Sequence, residues 1–152
     1  MRVEVQTGVA GAPPKARVRH LLSRVARAAH SRASEVSVLF CADARMRSLN
    51  RRYRRKDRPT DVLAFPAGPA ADGFLGDIAI SVPYAAREAR RRSLAHASEM
   101  DRLLLHGFLH LMGYDHETDE GEMEALESRL RKRLGLAEAA SEAAPRKRGS
   151  RR

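Results

Sequence analysis

Three histidines fall within eleven residues, at His106, His110 and His116. Imidazole is the commonest side chain by which proteins hold a transition metal near neutral pH. His106 and His110 are four residues apart, so on an α-helix their side chains diverge by only about 40° and can address one ion together. Gly113 frees the chain to leave that helix and turn back, which lets His116 offer a third nitrogen from another direction. Three protein ligands with a fourth position open are the arrangement of a catalytic rather than a structural zinc site. Such an ion lowers the pKa of its water from about 15.7 toward about 7, so hydroxide becomes available near neutrality. One Zn2+ is therefore the expected cofactor, and imidazole ligands also suit other divalent transition metals. His20, His30 and His96 lie apart from this group and read as ordinary core or surface side chains.

A second set of residues bears on the substrate. Lys plus Arg number 29 against 19 Asp plus Glu, a net charge of +10, and a balance of that size attracts polyanions, nucleic acid first among them. The charge is uneven. Arg45, Arg47, Arg51, Arg52, Arg54, Arg55, Lys56 and Arg58 form a basic run interrupted by one acid, Asp57, while acids gather at Glu117, Asp119, Glu120, Glu122, Glu124 and Glu127. A basic run by itself is also the mark of a solvated face. With aromatics at 5% and no tryptophan, stacking platforms for bases are scarce, so recognition of a nucleic acid is expected to be mainly of the backbone.

The segment HGFLHLMGYDH has the three histidines and the glycine of the metzincin protease signature HExxHxxGxxH, but Gly107 stands where that signature keeps its catalytic glutamate. A metalloprotease reading thus loses its base. Asp115 or Glu117 near the histidines reads as solvation or as a carboxylate that orients an imidazole.

These groups need elements to hold them. VEVQ alternates as a short strand, and KARVRHLLSRVARAAH carries apolar residues at Val18, Leu21, Leu22, Val25 and Ala29, the stripe of a helix. Glu35 to Cys41 is a β-rich run suited to a buried strand, and Asp43 offers an N-cap to a helix carrying Met46, Leu49 and the start of the basic run. TDVLAF and GDIAIS are strands separated by the turn-rich PAGPAADG and placed to pair. Pro83 suits the start of a helix that continues through YAAREARRRSLAHA. A further helix spans Glu99 to Met112, ended by Gly113, and a last amphipathic one runs from Thr118 to about Leu134 with Met123, Leu126 and Leu130 on one side.

Four segments in this order resemble the YbeY-type endoribonucleases, also described as ribosomal RNA maturation factors: LNRRYRRKDRPTDVLAFP from Leu49, LGDIAIS from Leu75, HGFLHLMGYDH from His106, and the acidic helix containing EMEALE from Glu122. The resemblance covers roughly Val36 to Leu136. It implies an α+β fold, a small mixed four-stranded sheet packed with about five helices, with the metal site at a helix end. It also implies a zinc-dependent endoribonuclease that cuts single-stranded RNA in ribosomal RNA processing, at the 16S 3′ end, and in late ribosome quality control. Its partners would be ribosomal RNA and the small subunit or its associated proteins. The zinc ligands carry over onto His106, His110 and His116, and the catalytic roles onto Arg54 and His110. Asp61, Gly76 and Asp77 match family motifs too, and read equally as turn and cap residues. The rival from another class is a non-catalytic RNA-binding assembly factor whose metal is structural.

At 152 residues the chain fits one domain, 1–136, followed by a tail at 137–152 that is poor in large apolar residues, ends with five basic residues in its last seven, and reads as a flexible arm. No apolar run approaches the roughly 20 residues of a membrane span, and the N-terminus lacks the layout of a secretion signal. The single cysteine, Cys41, forms no internal disulfide and reads as a small buried hydrophobe, which fits a reducing cytoplasm.

Overall fold

The alternation of Val3 and Val5 with polar neighbours makes a strand with one buried face, and it is the first element, β1 (Arg2–Thr7), in a computed structural model that describes residues 1–115 and 117–136. His116 and the basic tail at 137–152 lie outside the described residues. The order continues α1 (Lys15–Ala28), β2 (Glu35–Cys41), α2 (Asp43–Arg54), β3 (Val62–Pro66), β4 (Phe74–Ser81), α3 (Val82–Arg91), α4 (His96–Leu111) and α5 (Glu122–Leu134), with a single 3-10 turn at Pro69–Ala71. The four strands form one mixed sheet in the order β1-β2-β4-β3, with β1, β2 and β4 parallel and β3 antiparallel to β4. The α+β class and the four-stranded mixed sheet with five helices are as expected. Among the described residues no helix is long and apolar enough to cross a membrane.

The two faces of the sheet have different fates because side chains alternate along each strand. Val36, Val38 and Phe40 of β2 and Ile78 and Ile80 of β4 point into the main core, where they meet α1, α4 and α5. Leu63, Ala79 and Cys41 point the other way and are covered by Met46 of α2 in a smaller cluster. Burial pushes the Cys41 thiol above its ordinary pKa, and Arg45 offsets this only in part, so the thiol is a poor nucleophile. α4 is apolar over most of its circumference, with Met100, Leu103, Leu104, Leu105, Phe108 and Leu109 all at or below 1% exposure, and is the central helix of the core.

Three local expectations are corrected. The basic helix does not run through to Ala97: α3 stops at Arg91 because Ser93, at φ 57°, donates to the Arg90 carbonyl while Leu94 N–H reaches back to that of Ala89, a closed C-terminal turn. α5 begins at Glu122 rather than Thr118, because the Asp119 carboxylate accepts from the N–H groups of Gly121 and Met123, both at 2.9 Å, and holds the preceding residues in a turn. Asp43 is the first residue of α2 and not its cap. Its carboxylate accepts instead from Ser81 Oγ at 2.8 Å and from Arg87 at 2.7 Å, tying α2 to the start of α3.

Candidate active-site cleft

Gly107 decides how closely α4 lies on the sheet. A Cβ at that position would stand 2.9 Å from Cγ2 of Ile78, so only glycine permits the contact between α4 and β4. The same contact gives a physical reason why no glutamate stands there, since its side chain would have to start inside Ile78. On the free side of this crossing, His106 and His110 point into a cleft of about 300 Å3, their ring centroids 4.7 Å apart and the planes at 74°. Gly113, at φ 104°, ends the helix as the spacing anticipated.

Glu127 of α5 approaches His106 from behind. Nδ1 of His106 lies 2.9 Å from Glu127 Oε1, and Arg131 donates to Oε2 at 3.1 Å. An ionised carboxylate only accepts, so Nδ1 carries a proton, and of the two neutral tautomers this bond selects the one with its lone pair on Nε2, the form in which imidazole ligates a metal. Burial opposes ionisation of Glu127, but the bond from His106 and the charges of Arg131 and Arg102 outweigh it and hold the carboxyl below its usual range. Among the described residues, His106 and His110 are thus two donors of the kind a zinc ion takes.

The opposite wall of the cleft is cationic. Buried Asn50 receives Lys56 N–H on its backbone carbonyl at 3.2 Å and donates its side-chain amide to the Arg58 carbonyl at 2.8 Å. With Arg55 in the left-handed region at φ 59°, these bonds fold the chain back as soon as α2 ends. Arg54, Lys56 and Arg58 consequently line the cleft together with Asp61, Asp115 and Glu117. Two other cations of the run are used elsewhere: Arg47 forms a bidentate pair with Asp57 at 2.7 and 3.1 Å, and Arg52 lies over the Tyr53 ring.

Asp61 belongs to a half-buried network. Arg102 grips the fully buried Glu99 through two bonds of 3.1 and 2.9 Å and stands 3.8 Å from Asp61. Burial disfavours the Arg102 charge, yet Glu99 and Asp61 together raise its pKa above the ordinary value. Among the residues matching family motifs, Gly76 sits within β4 at φ 143°, where a Cβ would strike the Phe65 carbonyl, and Asp77 faces the α2 side of the sheet, away from the histidine cleft. Sequence reasoning missed Glu127 and Glu99 as site-supporting residues. The available signal was a carboxylate on each apolar stripe, Glu127 between Met123 and Leu130, and Glu99 beside Met100 and Leu103.

Imidazoles facing guanidinium and ammonium groups across one cleft, on an α+β frame, define a protein whose site suits a phosphate-bearing anion. The chain belongs to the YbeY endoribonuclease family: the family model described as Endoribonuclease YbeY matches residues 6–135. It is 51% identical over 115 residues to the Endoribonuclease YbeY of Koribacter versatilis, an overlap of 76% of this chain and 74% of that protein. It is 47% identical over 111 residues to that of an Anaeromyxobacter species, where the overlap takes in 70% of this chain but only 58% of the relative. The solution structure of a Thermotoga maritima protein superposes with a TM-score of 0.62 at 25% identity, covering 84% of this chain and 85% of the other.

Proposed function

We propose that this chain is a single-strand-specific, zinc-dependent endoribonuclease acting in ribosomal RNA processing, at the 16S 3′ end and in late ribosome quality control. The observation that carries the reading is the convergence of Arg54, from the end of α2, with His106 and His110, from the end of α4, on one cleft. The family membership supplies the reaction class.

In this reading His106, His110 and His116 hold the ion. When bound, it supplies Lewis-acid activation of the nucleophile at the scissile phosphodiester. The chain's own groups do the remainder. The Arg54 guanidinium grips two non-bridging phosphate oxygens and stabilises charge that builds on them as the bond to the leaving oxygen breaks. Lys56 and Arg58 hold neighbouring phosphates of the same strand. Glu127 keeps the His106 ring in its ligating tautomer and orientation. Recognition through phosphates gives little sequence preference, so accurate cutting relies on the small ribosomal subunit or its proteins to present the site.

The test is cleavage of a single-stranded RNA from the end of a small-subunit ribosomal RNA precursor by the wild type, Arg54→Ala and His110→Ala, each confirmed as folded and assayed for metal. The expected result is cutting by the wild type alone, with Arg54→Ala retaining its zinc. Equal cutting by all three preparations overturns the reading. RNA binding without cutting by the wild type would favour an assembly factor with a structural metal.

A further inference from the structure

The sheet face opposite the main core is only partly roofed by α2. What α2 leaves uncovered is a groove of about 360 Å3 with Leu39, Leu49 and Phe65 as its apolar wall and Ser37, Asp77 and Arg45 as its polar side. At its edge stands Tyr53, 57% exposed, one of two large apolar side chains exposed among the described residues, the other being the terminal Met1. Tyr53 is not a loose surface residue. Its ring packs against that of Phe65 with centroids 5.2 Å apart and planes at 63°, and the Arg52 guanidinium lies 5.7 Å from its centroid.

Tyr53 immediately precedes Arg54. Successive residues of an α-helix project about 100° apart, so the last turn of α2 is a ridge that turns Arg54 into the histidine cleft and Tyr53 into the sheet groove. A strand whose phosphate rests on Arg54 therefore carries the attached base toward Tyr53. An exposed ring braced by a second aromatic and flanked by arginine is what a nucleobase needs to stack, with the arginine able to add a cation–π contact. The polar groups of Ser37 and Asp77 in the same groove offer partners to a base edge. Arg45 in the groove, Arg52 beside the ring and Arg54 in the adjoining cleft make a polyanion the occupant that fits the charge.

We propose that Tyr53 is the stacking platform for the base adjoining the phosphate held at Arg54, so that one splayed-out nucleotide of a single-stranded RNA sits in the groove between α2 and the sheet. The proposal rests on the endoribonuclease reading above and adds to it a base-binding subsite outside the histidine cleft. It also supplies a reason for preferring single strands, because a base paired in a duplex has no face to give to Tyr53.

The experiment uses the full chain and a short single-stranded RNA carrying a fluorescent adenine analogue at one position at a time. Binding is read by anisotropy in the presence of chelator, and cleavage in parallel without it. Wild type should quench the analogue strongly at one register beside the cut site. Tyr53→Ala should lose that quench and weaken binding by about 5- to 150-fold, the range for one stacked base, with the loss in kcat/KM carried mainly by KM. Tyr53→Phe should restore both, whereas Tyr53→Leu, which keeps an apolar contact with Phe65, should not. An abasic nucleotide at the quenched register should cost the wild type as much as Tyr53→Ala does, and cost that variant nothing more. If the wild type binds and cuts while Tyr53→Ala does so equally, the stacking site is overturned alone, and the exposed ring belongs to a protein contact or to none. If losses from Tyr53→Ala and the abasic nucleotide simply add, it is likewise overturned. If the wild type neither binds nor cuts RNA, the endoribonuclease reading falls and the subsite falls with it.

Discussion

Replacing Glu127 by Gln keeps the size and shape of the side chain and removes its charge. Glu127 is 8% exposed and accepts from His106 Nδ1 at 2.9 Å and from Arg131 at 3.1 Å. A hydrogen bond to a charged group contributes about 1.5–3 kcal/mol against about 0.5–1.5 for a neutral one. The Gln carbonyl can still accept from His106, at a loss of about 1 kcal/mol, but its amide then presents a donor to the guanidinium of Arg131 and forfeits that bond. The sum is a destabilisation of roughly 2–4 kcal/mol, or about 5–15 °C in Tm for a domain of this size. Loss of the orienting carboxylate should further weaken zinc binding by about 10- to 100-fold. Urea unfolding of the metal-free protein measures the first quantity, and competition with a chromophoric chelator measures the second on protein shown to be folded. A Gln variant that loses stability but binds zinc like the wild type would falsify the orienting role and leave Glu127 as a structural ion pair. One that keeps its stability as well would refute the hydrogen-bond arithmetic itself.

Two further outcomes test the frame around the site. Gly107→Ala should destabilise by up to about 2 kcal/mol, because an overpacking cost of about 1–3 exceeds the helix-propensity gain of about 1. In an Ile78→Ala background, which removes the three atoms nearest to the new Cβ, the same change should become stabilising, and an equal loss in both backgrounds in denaturant melts rejects the packing account. Asp101 is pushed above its ordinary pKa by burial, which the nearby Arg17 only partly offsets. A raised folded-state pKa means a contribution fully present below the unfolded value of 3.8 and lost as pH rises through the folded value. Asp101→Asn should therefore gain stability relative to the wild type between acid and neutral pH, while its side-chain oxygen still accepts from Arg17. Parallel stability curves across that range would contradict this.

Much of the frame was legible because it follows from short-range physics. Period-two alternation located β1, a β-rich run located β2, three- and four-residue spacing located the helices, and the four-residue gap between His106 and His110 placed two imidazoles side by side on one helix face before any fold was known. Gly113 ended that helix for the reason its missing Cβ suggests. α4 also starts three residues earlier than expected, at His96, and the other misread boundaries turned on side-chain or backbone bonds that periodicity does not register: Asp119 holding a turn, Asp43 serving Ser81 and Arg87, and Ser93 closing α3.

The cations show where local reasoning stops. Eight look alike in the sequence, and composition alone could not separate Arg54 from Arg52 or Arg55. Only the end of α2 at Arg54, the left-handed turn at Arg55 and the two bonds made by Asn50 sort five of them, sending Arg54, Lys56 and Arg58 into the cleft, Arg47 to Asp57 and Arg52 onto Tyr53. Glu127 reaches His106 across 21 residues of chain because α5 packs on α4, and Phe65 comes under Tyr53 because β3 pairs with β4 on the face that α2 covers. The sequence by itself determined the residue types, their helical and strand spacing and hence the histidine pair. Which carboxylate orients it, which arginine faces it and which aromatic stands beside that arginine were decided by the tertiary structure, since each depends on contacts between segments whose separation along the chain carries no signal of their approach.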